Sequence, residues 1–190
     1  MAKISTYPIV ATPATLLDLL IGTDVTNANA TKNFEIGQVL SLYSSSSQKA
    51  SLFSSVTQTA AAGITAFATF NASPIITSGL TLVGTNTIEF TDGGYFVATA
   101  TFSVFNSGAA NLPFSGWFTY NGVNFGGAHT DTVIATGFSV VTISMMQLFA
   151  AGSTLQVAWI NTSADISLVA VPLTLTTPIV PSISLLISAV

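Results

Sequence analysis

Beyond Lys49 the sequence contains neither lysine nor arginine. Glu89, Asp92, Asp131 and Asp165 carry all the formal charge of the remaining chain, and Thr, Ser, Phe, Val and Ile fill the segments between them. A typical soluble domain is about 25% charged. Here the figure is 5%, with a mean hydropathy of +0.70. A fold of 19.5 kDa exposes about 8,500 Å² by the usual scaling of area with mass. Three basic and seven acidic side chains cannot cover such a surface or keep it apart from its neighbours'. Much of the surface is therefore expected to be covered, by copies of the same chain or by a larger assembly.

The same balance excludes several partners. A net charge of -4 and a pI near 4.3 argue against nucleic acid, which needs clustered Lys and Arg, and against attraction to anionic lipid. Residues 93–130 carry no charge, enough on length alone to span a bilayer. Gly93, Gly94, Asn106, Gly108, Asn111, Pro113, Asn121 and Gly122 interrupt that stretch, so a transmembrane helix is not expected. A membrane barrel would need a polar lumen and aromatic girdles, which the pattern does not arrange. The opening Met1–Pro8 lacks the apolar core of a secretory signal. Synthesis in a cytoplasm is the expectation. With no cysteine, disulfides and Cys-based zinc sites are excluded, and packing and oligomerisation must supply stability.

Three zones follow along the chain. Residues 1–43 hold the basic charge other than Lys49, an apolar run from Leu16 to Ile21, and a second apolar group. Ile36, Val39, Leu40 and Leu42 of that group are spaced for a short amphipathic helix. This zone is too small for its own core, and its exposed Leu-Leu-Ile favours docking on a partner over a free tail. Residues 44–62 are small and polar, with Ser44–Ser47 and Ala60–Ala62, and read as a linker. Residues 63–190 carry strand signals throughout. Phe96, Ala98, Ala100, Phe102 and Val104 alternate with Thr99, Thr101 and Ser103. Asn121-Gly122 supplies the two positive-φ positions of a type I′ hairpin between Trp117–Tyr120 and Val123–Phe125. Phe138–Phe149 is apolar on both faces, with Val141, Ile143 and Met145 on one and Phe138, Val140, Met146 and Leu148 on the other. Leu155–Ile160 and Ile183–Ala189 complete the strand signals. Such spacing predicts an all-β antiparallel sandwich or jelly roll. A strand apolar on both faces needs cover on its outer side, and in a homo-oligomer another copy provides it.

Chemistry is sparse. His129 is the only histidine, in Gly126-Gly127-Ala128-His129-Thr130-Asp131, which reads as a loop; Asp131 could orient it, but no nucleophile context accompanies the pair. Glu89 and Asp92 flank a strand end, where Asp92-Gly93-Gly94 reads as a turn. No Asp-rich loop suits calcium, and no Gly-rich loop followed by Lys suits phosphate. The sequons at Asn29, Asn71 and Asn161 are expected by chance in a chain this rich in Asn, Ser and Thr. No catalytic residue, metal or cofactor is expected. Trp117, Tyr120 and Trp159 could stack on sugars, but core or subunit contact is the more ordinary use of such rings.

Two resemblances add to this reading. Ile88-Glu89-Phe90, Gly94-Tyr95-Phe96-Val97, the arm ending at Asn121-Gly122, Leu148–Val157 and Pro181–Ile187 occur in the order seen in the trimeric jelly-roll head of tumour necrosis factor, the complement collagen-like proteins and spore-surface glycoproteins. Residues 63–190 resemble that head, with Ser153 where the family commonly has Asp. The resemblance implies a homotrimer, with Tyr95, Val97, Trp117, Tyr120, Phe138, Val140, Trp159 and Leu185 as candidate interface residues. Asp18–Asp24 and Asn29–Gly37 resemble the opening segment of tailed-phage fibre and head-decoration proteins, of the crAss-like or marine type. That implies a virion anchor in residues 1–43, with Leu19, Leu20, Ile21, Thr31, Lys32, Phe34 and Ile36 as its candidate contacts on a capsid or other virion protein. The expected role is a head fibre or capsid decoration protein at the virion surface, with host-surface glycan as a further partner. A tail fibre or a free lectin-like module is the alternative.

Overall fold

The computed structural model describes residues 19–24, 30–35, 48–171 and 180–190. The chain divides into two compact units, residues 1–45 and 46–190. In the first, β1 (Leu19–Asp24) pairs antiparallel with β2 (Ala30–Glu35), Leu19 opposite Glu35 and Asp24 opposite Ala30. These strands hold every candidate anchor residue except Ile36, which lies outside the described residues, as does the short helix expected from Ile36 to Leu42.

The second unit is built entirely from strands and connecting turns among the described residues, in two antiparallel sheets. Its strands are β3 (Lys49–Ser54), β4 (Gln58–Thr59), β5 (Ala66–Phe67), β6 (Ala72–Ile76), β7 (Leu80–Val83), β8 (Thr87–Phe90) and β9 (Gly94–Asn106). They continue with β10 (Leu112–Tyr120), β11 (Val123–Ile134), β12 (Gly137–Phe149), β13 (Ser153–Asn161), β14 (Ile166–Leu168) and β15 (Ile183–Ala189). One sheet runs β11-β10-β13-β8-β7, with β5 also on β13. In the other, β9 is flanked on one side by β12 along its whole length and on the other by β15 and β14; β3 and then β6 follow β15, and β4 follows β14. The pairings nest: β10 with β11, β9 with β12, β8 with β13, and β3 with β15. Asn121 (φ 49°) and Gly122 (φ 76°) form the turn at the centre of this nest, both in the left-handed region that a type I′ turn requires.

The stretch expected as a linker is corrected by β3. Ala50, Leu52 and Ser54 are buried, and Leu52 pairs with Leu185. Small residues with one apolar side chain in two suffice for a strand once both neighbours are present, and composition alone did not reveal that. The folded unit therefore begins well before residue 63.

The core lies between the two sheets. Alternation puts Phe96, Ala98, Ala100, Phe102 and Val104 of β9 inward, each at most 1% exposed. They meet Phe90, Phe114, Phe118, Leu155, Val157 and Trp159 of the opposite sheet. Phe90 stacks on Phe149 with centroids 3.9 Å apart, and Phe96 meets both rings edge-on. Phe102 meets Phe114 at 5.5 Å, and Phe114 stacks on Trp159 at 6.1 Å. Each such side chain contributes about 1.5–3 kcal/mol by leaving water. Gly116 makes room for this packing, because a Cβ there would stand 3.0 Å from the Phe102 ring. Ser153, where the resembling family has Asp, donates its hydroxyl to the carbonyl of Ala150 and closes the turn at Gly152. A carboxylate could not make that bond.

Candidate functional site

Two surfaces stand out. The first is the outward face of β9, β12 and β15. These strands contain no charged residue. Because β9 and β12 pair in register from Gly94–Phe149 to Asn106–Gly137, their outward residues form rows. Tyr95 lies opposite Leu148 and Val97 opposite Met146 at one end; Phe105 lies opposite Phe138 at the other, with ring centroids 4.7 Å apart. Between them, Thr99 and Ser144 share a hydrogen bond of 3.0 Å, and Thr101 and Thr142 one of 3.2 Å. Phe138, Val140 and Met146 are each more than 60% exposed, and Tyr95, Leu148 and Leu186 more than half. A shallow recess of about 330 Å³ opens beside Phe138 and Val140, closed on its far side by Val171 and Val180. Among the described residues β12 is also an edge strand, 13 residues long without a lysine, proline or bulge to discourage pairing.

The candidate interface residues divide on this geometry. Tyr95, Val97, Phe138 and Val140 project from the outward face. Trp159 and Leu185 do not: at 0% and 1% exposed they belong to the protomer's own core and are removed from the interface set. Trp159 shares its side of β13 with Leu155 and Val157, and Leu185 its side of β15 with Ile183 and Ile187. Tyr120 turns inward too, its ring edge-on to Phe149 and its hydroxyl 3.2 Å from Ser153 Oγ. Trp117 lies on the outer side of the other sheet, only 9% exposed.

The second surface surrounds Trp117. The stretch Gly126–Asp131, expected as a loop, belongs to β11. The register explains its glycines. Trp117 pairs with His129 and Thr119 with Asn124, so Phe118 alone faces the four residues Phe125–Ala128. This irregularity opens a recess of about 250 Å³ lined by Ser115, Trp117, Asn124, Phe125, Gly126, His129 and Ile160. The Trp117 indole donates to Asn124 Oδ1 at 2.9 Å. His129 Nε2 lies 3.1 Å from Asp131 Oδ1, the same oxygen that accepts from Ser115 Oγ.

Serine, histidine and aspartate thus meet, but in the wrong order to activate a nucleophile. A catalytic triad places the imidazole between hydroxyl and carboxylate so that it can take the hydroxyl proton. Here the carboxylate sits between the other two and holds both. Glu89 and Asp92 do not join this site; Asp92 accepts from the Gln48 amide at 3.0 Å. Of the sequons, Asn161 is buried, with its amide donating to the Ile166 carbonyl at 3.0 Å, which closes it in the folded chain. The described residues include no group of three His, Asp or Glu side chains suited to a metal, and no helix long and apolar enough to cross a membrane.

Ser115, Asn124 and Phe125 were not singled out by sequence. The available signal was Gly126-Gly127 inside an otherwise strand-like arm, which marks a bulge. No protein-family model matches the sequence, and no curated protein does.

Proposed function

We propose that the protein is a homotrimeric virion surface component, a head fibre or capsid decoration protein. Residues 1–43 dock on the particle, and a jelly roll projects from it. The observation that carries the assembly is the uncharged outward face of β9, β12 and β15, together with the unguarded edge of β12. Solvent is a poor cover for exposed Tyr95, Phe138, Val140, Met146 and Leu148 on one face. A second copy is the fitting occupant because face and edge are both uncharged and contiguous on one chain. An edge laid on a neighbour's face is a head-to-tail contact, which closes into a ring when the rotation allows.

The nested pairing of first strand with last, inward to the Asn121–Gly122 turn, supports the jelly-roll reading: it is one long hairpin rolled into two sheets. Placement on a virion rests on the resemblance of Asp18–Gly37 to the opening segment of phage fibre and decoration proteins. Many weak contacts on one particle then sum to avidity without a deep pocket.

Light scattering on the full chain tests the assembly, with an expected mass three times the 19.5 kDa protomer. A well-behaved monomer sinks it. Deleting residues 1–43 should leave the trimer intact and abolish particle decoration; normal decoration would refute the anchor. The recess beside Trp117 favours a second reading, a free lectin-like adhesion module. In that case the protein would not sediment with particles.

A further inference from the structure

The recess at the β10–β11 irregularity combines apolar walls with polar groups held by hydrogen bonds. Its walls are aromatic and apolar, from Trp117, Phe125 and Ile160. Its polar groups are planar and held in place. Asn124 Oδ1 is occupied by the Trp117 indole at 2.9 Å, which fixes the amide and leaves its Nδ2 to donate elsewhere. Asp131 lies behind the lining and holds two of its side chains, Ser115 and His129, through Oδ1. The volume of about 250 Å³ is that of roughly eight water molecules, enough for one six-membered ring and small for a drug-sized ligand.

From this geometry we infer that the recess is a binding subsite for a single neutral hexose. A pyranose ring offers a C–H face to the aromatic wall and a rim of hydroxyls that accept from the Asn124 amide and exchange hydrogen bonds with the Ser115 and His129 side chains of the lining. Sugars carrying a carboxylate are disfavoured, because no lysine or arginine follows Lys49 in the sequence and the Asp131 carboxylate holds two of the lining side chains. Calcium-mediated sugar binding is disfavoured as well: one carboxylate is far short of the six to eight oxygens that cation takes. This inference rests on the adhesion role within the proposed function and names its ligand class and its residues.

Gly126 permits a clean test. Gly126 is on the recess lining and a Cβ built there meets nothing within 4 Å, so Gly126→Leu adds a bulky apolar side chain at the lining without a clash. The chain has two tryptophans, Trp117 at the recess and Trp159 in the core, so their indole N–H signals separate site from scaffold in a heteronuclear NMR spectrum. Methyl glycosides of glucose, galactose, mannose and N-acetylglucosamine are titrated into the full-length protein, with a methyl sialoside for comparison. At least one neutral glycoside should move the Trp117 signal and leave Trp159 in place. Gly126→Leu should abolish the shift, and Asp131→Ala should weaken binding about tenfold or more. The inference is overturned if no neutral glycoside moves Trp117, if only the sialoside does, or if Gly126→Leu leaves binding intact. A fall in the light-scattering mass of Gly126→Leu would also overturn it, by making the recess a subunit contact. An unchanged trimer that ignores every sugar would defeat this subsite while leaving the assembly standing; a monomer that binds sugar would do the reverse.

Discussion

The two sheets share one core but present opposite outward faces. Outside β9 and β12 the surface is regular and uncharged, its hydroxyls spent on one another in the Thr99–Ser144 and Thr101–Thr142 pairs. Outside β10 and β11 the ladder is broken, and His129 and Asp131 stand exposed beside it. An unbroken ladder makes a continuous surface, which suits another of the same kind. An interrupted ladder makes a hollow with free polar atoms, which suits a small polar molecule. Among the described residues the wide irregularity lies in the β10–β11 pair, while β9 and β12 pair without a shift.

That division can be broken experimentally. The largest effect is expected from Val140→Glu combined with Met146→Glu, which puts two charges on the uncharged face. Light scattering should show the assembly reduced to single protomers, while Val133→Glu on the exposed outer side of the other sheet should leave the mass unchanged. Next, Trp159→Ala should cost about 3–5 kcal/mol in urea unfolding at fixed protomer concentration, because it empties a fully buried site. Should that substitution alter only the assembled mass, Trp159 would have to be returned to the interface. Gly116→Ala, which forces a methyl group toward the Phe102 ring, should cost about 1–3 kcal/mol by the same measurement. Gly126→Ala, facing open space, should stay within about 0.5 kcal/mol of the parent. A similarly small effect belongs to Thr101→Val, which removes one cross-strand hydroxyl pair worth roughly 0.2–1 kcal/mol.

Alternation made the strands legible, but it fixes which residues share a face and leaves open which face is inside. Where one side is polar, as in β15 with Ser184 and Ser188 against Ile183, Leu185 and Ile187, the direction follows, and Leu185 belongs inside. In β12 both sides are apolar, and only the opposing sheet decides that Val141, Ile143 and Met145 go in while Phe138, Val140 and Met146 stay out. The Asn121-Gly122 turn was readable because its backbone requirement is local. The recess was not, because it depends on one residue of β10 facing four of β11, a property of pairing between strands. β3 escaped for a related reason: Lys49–Ser54 has little strand character of its own and is held by β15, more than a hundred residues away in sequence.

The position of β15 sets the order of events during synthesis. It fills the slot between β3, the earliest strand of its sheet, and β9. Until Ala189 has been made, the ribosome holds a nascent chain whose central lane is vacant, with the buried side of β3 and the backbone of β9 both open to whatever strand comes first. Closure requires the most distant partners to meet, so maturation is slow and vulnerable to premature termination. A fragment stopping before Ile183 would carry nearly all of the core side chains and still be an unsealed, adhesive intermediate.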